Sequence, residues 1–150
     1  MARTKSGKKG WLHYHSLSIV SVLLLAGWII AYHFSDPATH LGAFFGNAIA
    51  DWSGSVVIIL GTKFLYEMGS AESRPVAKGK GNRVPDLLRR HSLLIFLAIT
   101  GLGWLLLYLH MNPQDKWGQV VGNIVSEWLQ MAGLVYLTKS LIERGSKESG

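Results

Sequence analysis

Two stretches of this chain, Ser16–Phe34 and Ser92–His110, run for nineteen residues each without a Lys, Arg, Asp or Glu. A helix needs about 20 mostly apolar residues to cross the hydrocarbon core of a bilayer. Two further segments, Leu41–Tyr66 and Trp117–Ile142, are longer and carry only a few polar residues. Lipid offers the backbone no hydrogen bonds, so all four segments are expected to be helices. The fold class expected is all-α, a bundle of four transmembrane helices.

The four segments are not independent. Sliding the sequence by 76 residues aligns 15–73 with 91–149 without a gap, with 20 identities in 59 positions. His15-Ser16-Leu17 meets His91-Ser92-Leu93, and Gly27-Trp28 meets Gly103-Trp104. Tyr32 and Pro37 meet Tyr108 and Pro113. Asn47, Trp52, Thr62-Lys63 and Glu67 meet Asn123, Trp128, Thr138-Lys139 and Glu143. Gly69-Ser70-x-Glu72-Ser73 meets Gly145-Ser146-x-Glu148-Ser149, while Asp51 stands opposite Glu127. The chain therefore reads as a two-helix hairpin duplicated in tandem. An even number of spans per unit returns the chain to its starting side, so the internal repeat is parallel, about an axis along the membrane normal.

The expected organisation is a basic cytoplasmic tail at 1–14, a first hairpin at 15–73, a cytoplasmic connector at 74–90 and a second hairpin at 91–150. The connector composition, Gly, Ser, Pro and basic residues from about residue 69 onward, suggests a mobile segment. Charge supports one orientation. Arg3, Lys5, Lys8, Lys9, Arg74, Lys78, Lys80, Arg83, Arg89, Arg90, Arg144 and Lys147 all flank the ends where both termini lie, whereas the opposite turns carry only Lys116. That bias predicts both termini inside. It also gives the net charge of +6 a topological meaning in place of a nucleic-acid patch. The basic start and apolar centre of the first run resemble a leader peptide, but its mid-chain counterpart at Ser92–His110 argues for a retained span. Ser16 and Ser92 are candidate helix N-caps. With no cysteine in the chain, disulfides, thiolate metal sites and thiol catalysis are excluded.

Asn123-Ile124-Val125-Ser126-Glu127-Trp128-Leu129-Gln130, the two Gly-Ser-x-Glu-Ser strings and Arg90-His91-Ser92-Leu93 carry a resemblance. Over residues 11–149 the chain resembles a family of uncharacterised bacterial integral membrane proteins, whose halves each carry N-W-x-S-E-F-L-Q and G-S-x-E-S-K motifs. Ile124 departs from the family's Trp, and the turns opposite the termini are much shorter here. The resemblance implies the four-span topology and a multi-pass location in a bacterial inner membrane. It implies no activity.

Chemistry concentrates on the second helix of each hairpin. Helical periodicity gathers Asn47, Asp51, Gly54, Ser55, Ile58 and Thr62 in one sector, and Asn123, Glu127, Gln130, Leu134 and Thr138 in the other. An ionisable group inside the hydrocarbon region costs on the order of 3 kcal/mol or more, so Asp51 and Glu127 are expected to face protein. They form either a polar seam that shares a proton or binds a cation, or a structural network. In the second case Asn47, Asn123, Trp52 and Trp128 would hydrogen-bond the acids. Gly42-x-x-x-Gly46 and Gly118-x-x-x-Gly122 form small-residue ridges, expected to let the two long helices pack on each other or on a second subunit. His15 and His91, with His33 and His110 at the opposite ends, read as interfacial anchors beside Trp28, Trp104, Trp117, Tyr32 and Tyr108. No His lies in mid-span facing another, so haem or pigment ligation is not expected, and His13 and His40 are expected to be solvated. Lys63 and Lys139 sit near the helix ends, where they can snorkel.

No phosphate loop, metalloprotease or serine-hydrolase motif is present. The chain is thus expected to be a non-enzymatic polytopic membrane protein without cofactor or metal, surrounded by lipid. It is expected to act as an accessory or assembly subunit of a larger membrane complex, or as a homo-oligomer. The alternative is a small cation or proton channel or transporter using the Asp51/Glu127 seam.

Overall fold

The computed structural model describes residues 13–73 and 86–141. The tail before residue 13, the connector over 74–85 and the segment after residue 141 lie outside the described residues. The described chain is all helical. Helices α1 (Ser16–Phe34), α2 (His40–Gly61), α4 (Ser92–His110) and α5 (Lys116–Ser140) are each long and apolar enough to cross a membrane, and α3 (Asp86–Arg90) is a single turn ahead of α4. Helix α2 packs on α1, α5 packs on α4, and α2 and α5 pack on each other. The order across the bundle is therefore α1–α2–α5–α4. Leu17, Leu23 and Ile30 of α1 and Leu102, Leu106 and Leu109 of α4 are exposed. So much apolar surface on the outer helices suits acyl chains and would be a liability in water.

The turn end of the bundle is built from short polar caps. Thr39 accepts a hydrogen bond from the Gly42 N–H (3.1 Å) and donates to the Asp36 carbonyl (2.7 Å), closing the α1–α2 turn. In the α4–α5 turn the Asn112 side chain does comparable work, accepting from the Gln114 N–H and donating to Asp115. The two hairpins are tied together here as well. The Tyr32 hydroxyl donates to the Lys116 carbonyl (2.7 Å), and the Lys116 ammonium donates to the carbonyls of His33 (3.0 Å) and Ser35 (2.5 Å). The lone basic residue of the outer turns is thus a cross-hairpin cap on the C-terminal carbonyls of α1, where a cation is favoured.

Three expectations require correction. Ser16 and Ser92 are not N-caps; His15 and His91 hold those positions, and Ser16 donates to the His13 carbonyl. The glycine ridges do not join the two long helices. Gly42 and Gly118 sit where a Cβ would collide with the backbone carbonyls of Asp36 and Asn112 in their own turns. Gly46 and Gly122 lie under the rings of Tyr32 and Tyr108, whose Cε2 atoms stand 3.1 and 3.0 Å from the place of a Cβ. All four glycines therefore close the contact within a hairpin. Close approach of α2 to α5 falls at Gly54, where a Cβ would stand 3.3 Å from the Met131 sulfur. Finally, residues 69–73, read as the start of a loose connector, are held against the bundle, with Ser70 and Ser73 buried.

Gly27 and Gly103 have open space where a Cβ would go. Alanine at either is expected to be neutral or to stabilise slightly through helix propensity. Alanine at Gly42 or Gly118 must displace a turn backbone and is expected to destabilise by about 1–3 kcal/mol, the usual range for overpacking. Denaturation in detergent of the four single variants checks this contrast.

Candidate functional site

The centres of α2 and α5 carry the acids. Asp51 lies at the middle of α2 and Glu127 at the middle of α5. They share the lining of two adjoining grooves. The larger, about 340 Å³, has Asp51, Ser55 and Glu127 on its rim and Gly54, Ile58, Ile59 and Met131 beneath. The smaller, about 150 Å³, is bounded by Asn47, Ala50, Asp51, Asn123, Ser126 and Glu127. Lacking a side chain, Gly54 brings the Glu127 carboxylate within 3.7 Å of where its Cβ would be, which draws the two acid-bearing turns together.

The polar groups sort themselves differently from the expected network. Asn47 and Asn123 bond each other, the Asn123 amide donating to the Asn47 oxygen at 2.6 Å. Trp128 donates its indole N–H to Thr100 on α4 (2.8 Å), away from the acids, and so fastens α5 to α4. Thr62 donates to the Ile58 carbonyl within its own helix. Thr138 pairs with Ser70 outside the seam (2.9 Å), and Gln130 is exposed and lines neither groove. The seam thus contracts to Asn47, Asp51, Asn123 and Glu127. Asp51 and Asn47 are exposed and Glu127 is half-buried, so the grooves open sideways from the bundle. His13 and His40 are exposed.

A second cluster was not anticipated from the sequence. After α2 the chain forms a strap, residues 65–73, that crosses to the end of the bundle where α4 begins and α5 ends. Glu67 and His91 form an isolated antiparallel bridge. The Met68 N–H donates to the Arg90 carbonyl (2.8 Å), and the Tyr66 N–H to the Ser92 hydroxyl (2.8 Å). The first N–H groups of a helix have no partner inside it. In α4, Leu93 donates instead to the Tyr66 carbonyl (3.2 Å) and Leu94 to the Glu67 carboxylate (3.4 Å). The strap therefore caps α4, in place of the serine expected to do so.

Glu67 is fully buried. One carboxylate oxygen meets His91 Nδ1 at 2.5 Å and accepts from the Lys139 ammonium at 2.9 Å. Its backbone N–H donates to the Ser73 hydroxyl (2.9 Å), so the strap folds back on itself, turning at Gly69 with φ +86°. Burial pushes the Glu67 carboxyl up, but the hydrogen bonds and charges of His91 and Lys139 outweigh burial and hold it below the usual glutamate range. The available signal was the recurrence of His-Ser, Thr-Lys, Glu and Gly-Ser-x-Glu-Ser at and beyond the ends of the apolar runs.

Among the described residues, no three His, Asp or Glu side chains gather as a metal site would require. Comparison with protein-family models, curated proteins and solved structures gives no match to this chain.

The Glu67 cluster predicts a specific pH response. A lowered folded pKa means that the unfolded state takes up the proton first as pH falls. The stabilisation from Glu67 is then complete above the ordinary value of about 4.5 and disappears as pH drops through the lowered value. Removing one partner of a buried ion pair costs about 3–5 kcal/mol. Glu67→Ala is expected to approach that loss at pH 7 in detergent denaturation, and its stability is expected to vary less between pH 6 and 4 than that of the unsubstituted protein.

Proposed function

We propose that this chain is a non-enzymatic, multi-pass membrane protein that works as an accessory or assembly subunit, with the α2–α5 face docked on another membrane protein. The carrying observation is the sideways opening of a groove rimmed by Asp51 and Glu127 at the middle of two membrane-length helices. Carboxyls at that depth face protein or water, because acyl chains cannot solvate them. The four-helix unit leaves one flank of the pair uncovered, and a neighbouring protein surface offering hydrogen-bond donors or a basic side chain supplies the missing cover. A second copy of the chain is the homo-oligomeric version of the same reading.

Several further statements belong to this proposal. The chain is a tandem duplication with both termini on the cytoplasmic side, in a bacterial inner membrane, and a member of the uncharacterised family it resembles. Its support is the matched series of residues 76 positions apart. The paired placement of Tyr32 on Gly46 and of Tyr108 on Gly122 agrees with it, as does the basic bias of the flanks.

The second reading is cation or proton movement along the seam. It is favoured by one observation, the placing of Asp51 and Glu127 on the same two grooves beside the Asn47–Asn123 pair. Two carboxyls sharing such a groove can hold one proton between them or a cation bridging them.

Purification in mild detergent from the native membrane distinguishes the readings. The subunit proposal expects the chain to migrate as a complex larger than its own 16.5 kDa, and D51N/E127Q to weaken that association. Recovery of the isolated monomer alone contradicts it. The transport reading expects ion or proton flux in reconstituted vesicles that the same double variant abolishes; flux that is absent or unchanged eliminates it.

A further inference from the structure

The flank that carries Asp51 and Glu127 has two chemically distinct sides, set by where its residues fall along the helices. Both α2 and α5 run from the turn end toward the strap end. On the turn side of the acids lies the smaller groove, bordered by the Asn47–Asn123 pair. On the strap side the larger groove, about 340 Å³, is floored by Gly54, Ile58, Ile59 and Met131. Met131 lies about one turn beyond Glu127, and Ile58 and Ile59 about two turns beyond Asp51. Carboxyls therefore stand at one end of an apolar trough that opens sideways from the bundle. That shape suits an incoming side chain with an aliphatic stem and a cationic head, because Lys and Arg lay their methylenes along apolar surface. A bare cation makes no use of the trough.

The chain itself holds no such side chain at that depth. The basic residues and histidines of the four long helices are His33, His40, His110, Lys116 and Lys139. Each is the first, last or last-but-one residue of its helix. A second copy meeting the first flank to flank brings four carboxyls together and no base, and like charges placed face to face oppose association. A second copy meeting it through α1 or α4 offers apolar faces such as Leu23, Ile30, Leu102 and Leu106. Neither arrangement gives the acids a partner.

We propose that the α2–α5 flank is the docking face for a transmembrane helix of a different protein, which carries a Lys or Arg at mid-span and lays it in this trough. The proposal rests on the subunit reading above and names the chemistry of its partner. The cationic head meets Asp51 and Glu127, and the stem covers Ile58, Ile59 and Met131. Charge complementarity acts in both directions, since an ionisable side chain at that depth is costly in lipid and is ordinarily paired. Ser55 and Ser126, exposed beside the acids, are small enough to let a helix backbone approach closely.

The probe is a set of Leu-rich peptides of about 21 residues, long enough to span a bilayer, identical except for one central residue: Lys, Gln or Leu. The chain has no cysteine, so Q114C, exposed in the outer turn, takes a donor fluorophore, and each peptide carries an acceptor. Energy transfer is measured in phosphatidylcholine vesicles. The proposal expects the Lys peptide to associate about tenfold or more tightly than the Leu peptide, as a close charge pair requires, and D51N/E127Q to erase the difference. Equal association of the Lys and Leu peptides overturns it. So does a Gln peptide that matches the Lys peptide, since a neutral donor would then suffice. The peptide comparison leaves both acids in place, so it remains decisive if the double variant fails to fold. Transfer between two labelled copies of the chain that S55W abolishes puts a second copy on the flank and also overturns the proposal. The subunit reading fails separately: an isolated monomer from the native membrane defeats both, whereas a larger native complex without a Lys preference defeats only this proposal.

Discussion

Everything in this molecule follows from the inability of hydrocarbon to hydrogen-bond a peptide group or solvate a carboxylate. The first half of that constraint forces the four apolar runs into helices, which satisfy their backbones internally. The second half decides how the helices are arranged. The more apolar pair, α1 and α4, stands outside. The pair that carries the polar residues, α2 and α5, meets in the middle, where Asp51 and Glu127 line the same grooves and Asn47 finds Asn123. Once α2 and α5 are the inner pair, Tyr32 and Tyr108 are left to pack on Gly46 and Gly122 within their hairpins.

Hydrophobic burial does little to hold such a bundle together in lipid, because acyl chains are as apolar as leucine. Cohesion must come from polar ties and close packing, and the ties are distributed along the bundle. At the turn end Tyr32 and Lys116 join α1 to α5. At mid-depth Asn123 meets Asn47, and Trp128 fastens α5 to α4 through Thr100. At the strap end Glu67 collects His91 and Lys139. The strongest of these is the last, where a fully buried carboxylate has two basic partners and a backbone N–H. Its role is architectural: one charged residue after α2 simultaneously caps α4 and grips α5.

The sequence made the helices legible because length and absence of charge are local properties, readable one segment at a time. The acids of the seam were legible for the same reason, since 3.6-residue periodicity puts them on one face whatever the neighbours. Partners were harder. The glycine spacing announced close approach but could not say to what, and the true partners were Asp36, Asn112 and the two tyrosine rings. Trp128 sits next to Glu127 in sequence yet points to another helix. Glu67 escaped notice because its partners lie 24 and 72 residues away, in a stretch whose composition reads as a loop. Its recurrence at Glu143 was visible, but the partners of Glu67 itself required the fold.

The central claim is that the open flank of the α2–α5 pair is covered by protein or water and not by acyl chains. A spin label at Ser55, which is exposed on the rim of the groove, tests it in the native membrane through collision with oxygen, which concentrates in lipid, and with a polar paramagnetic complex. A label at Leu106, exposed on the outer helix α4, serves as the lipid-facing reference. The account predicts that the label at 55 collides with oxygen far less than the label at 106. Equal, oxygen-dominated relaxation at the two sites would contradict it.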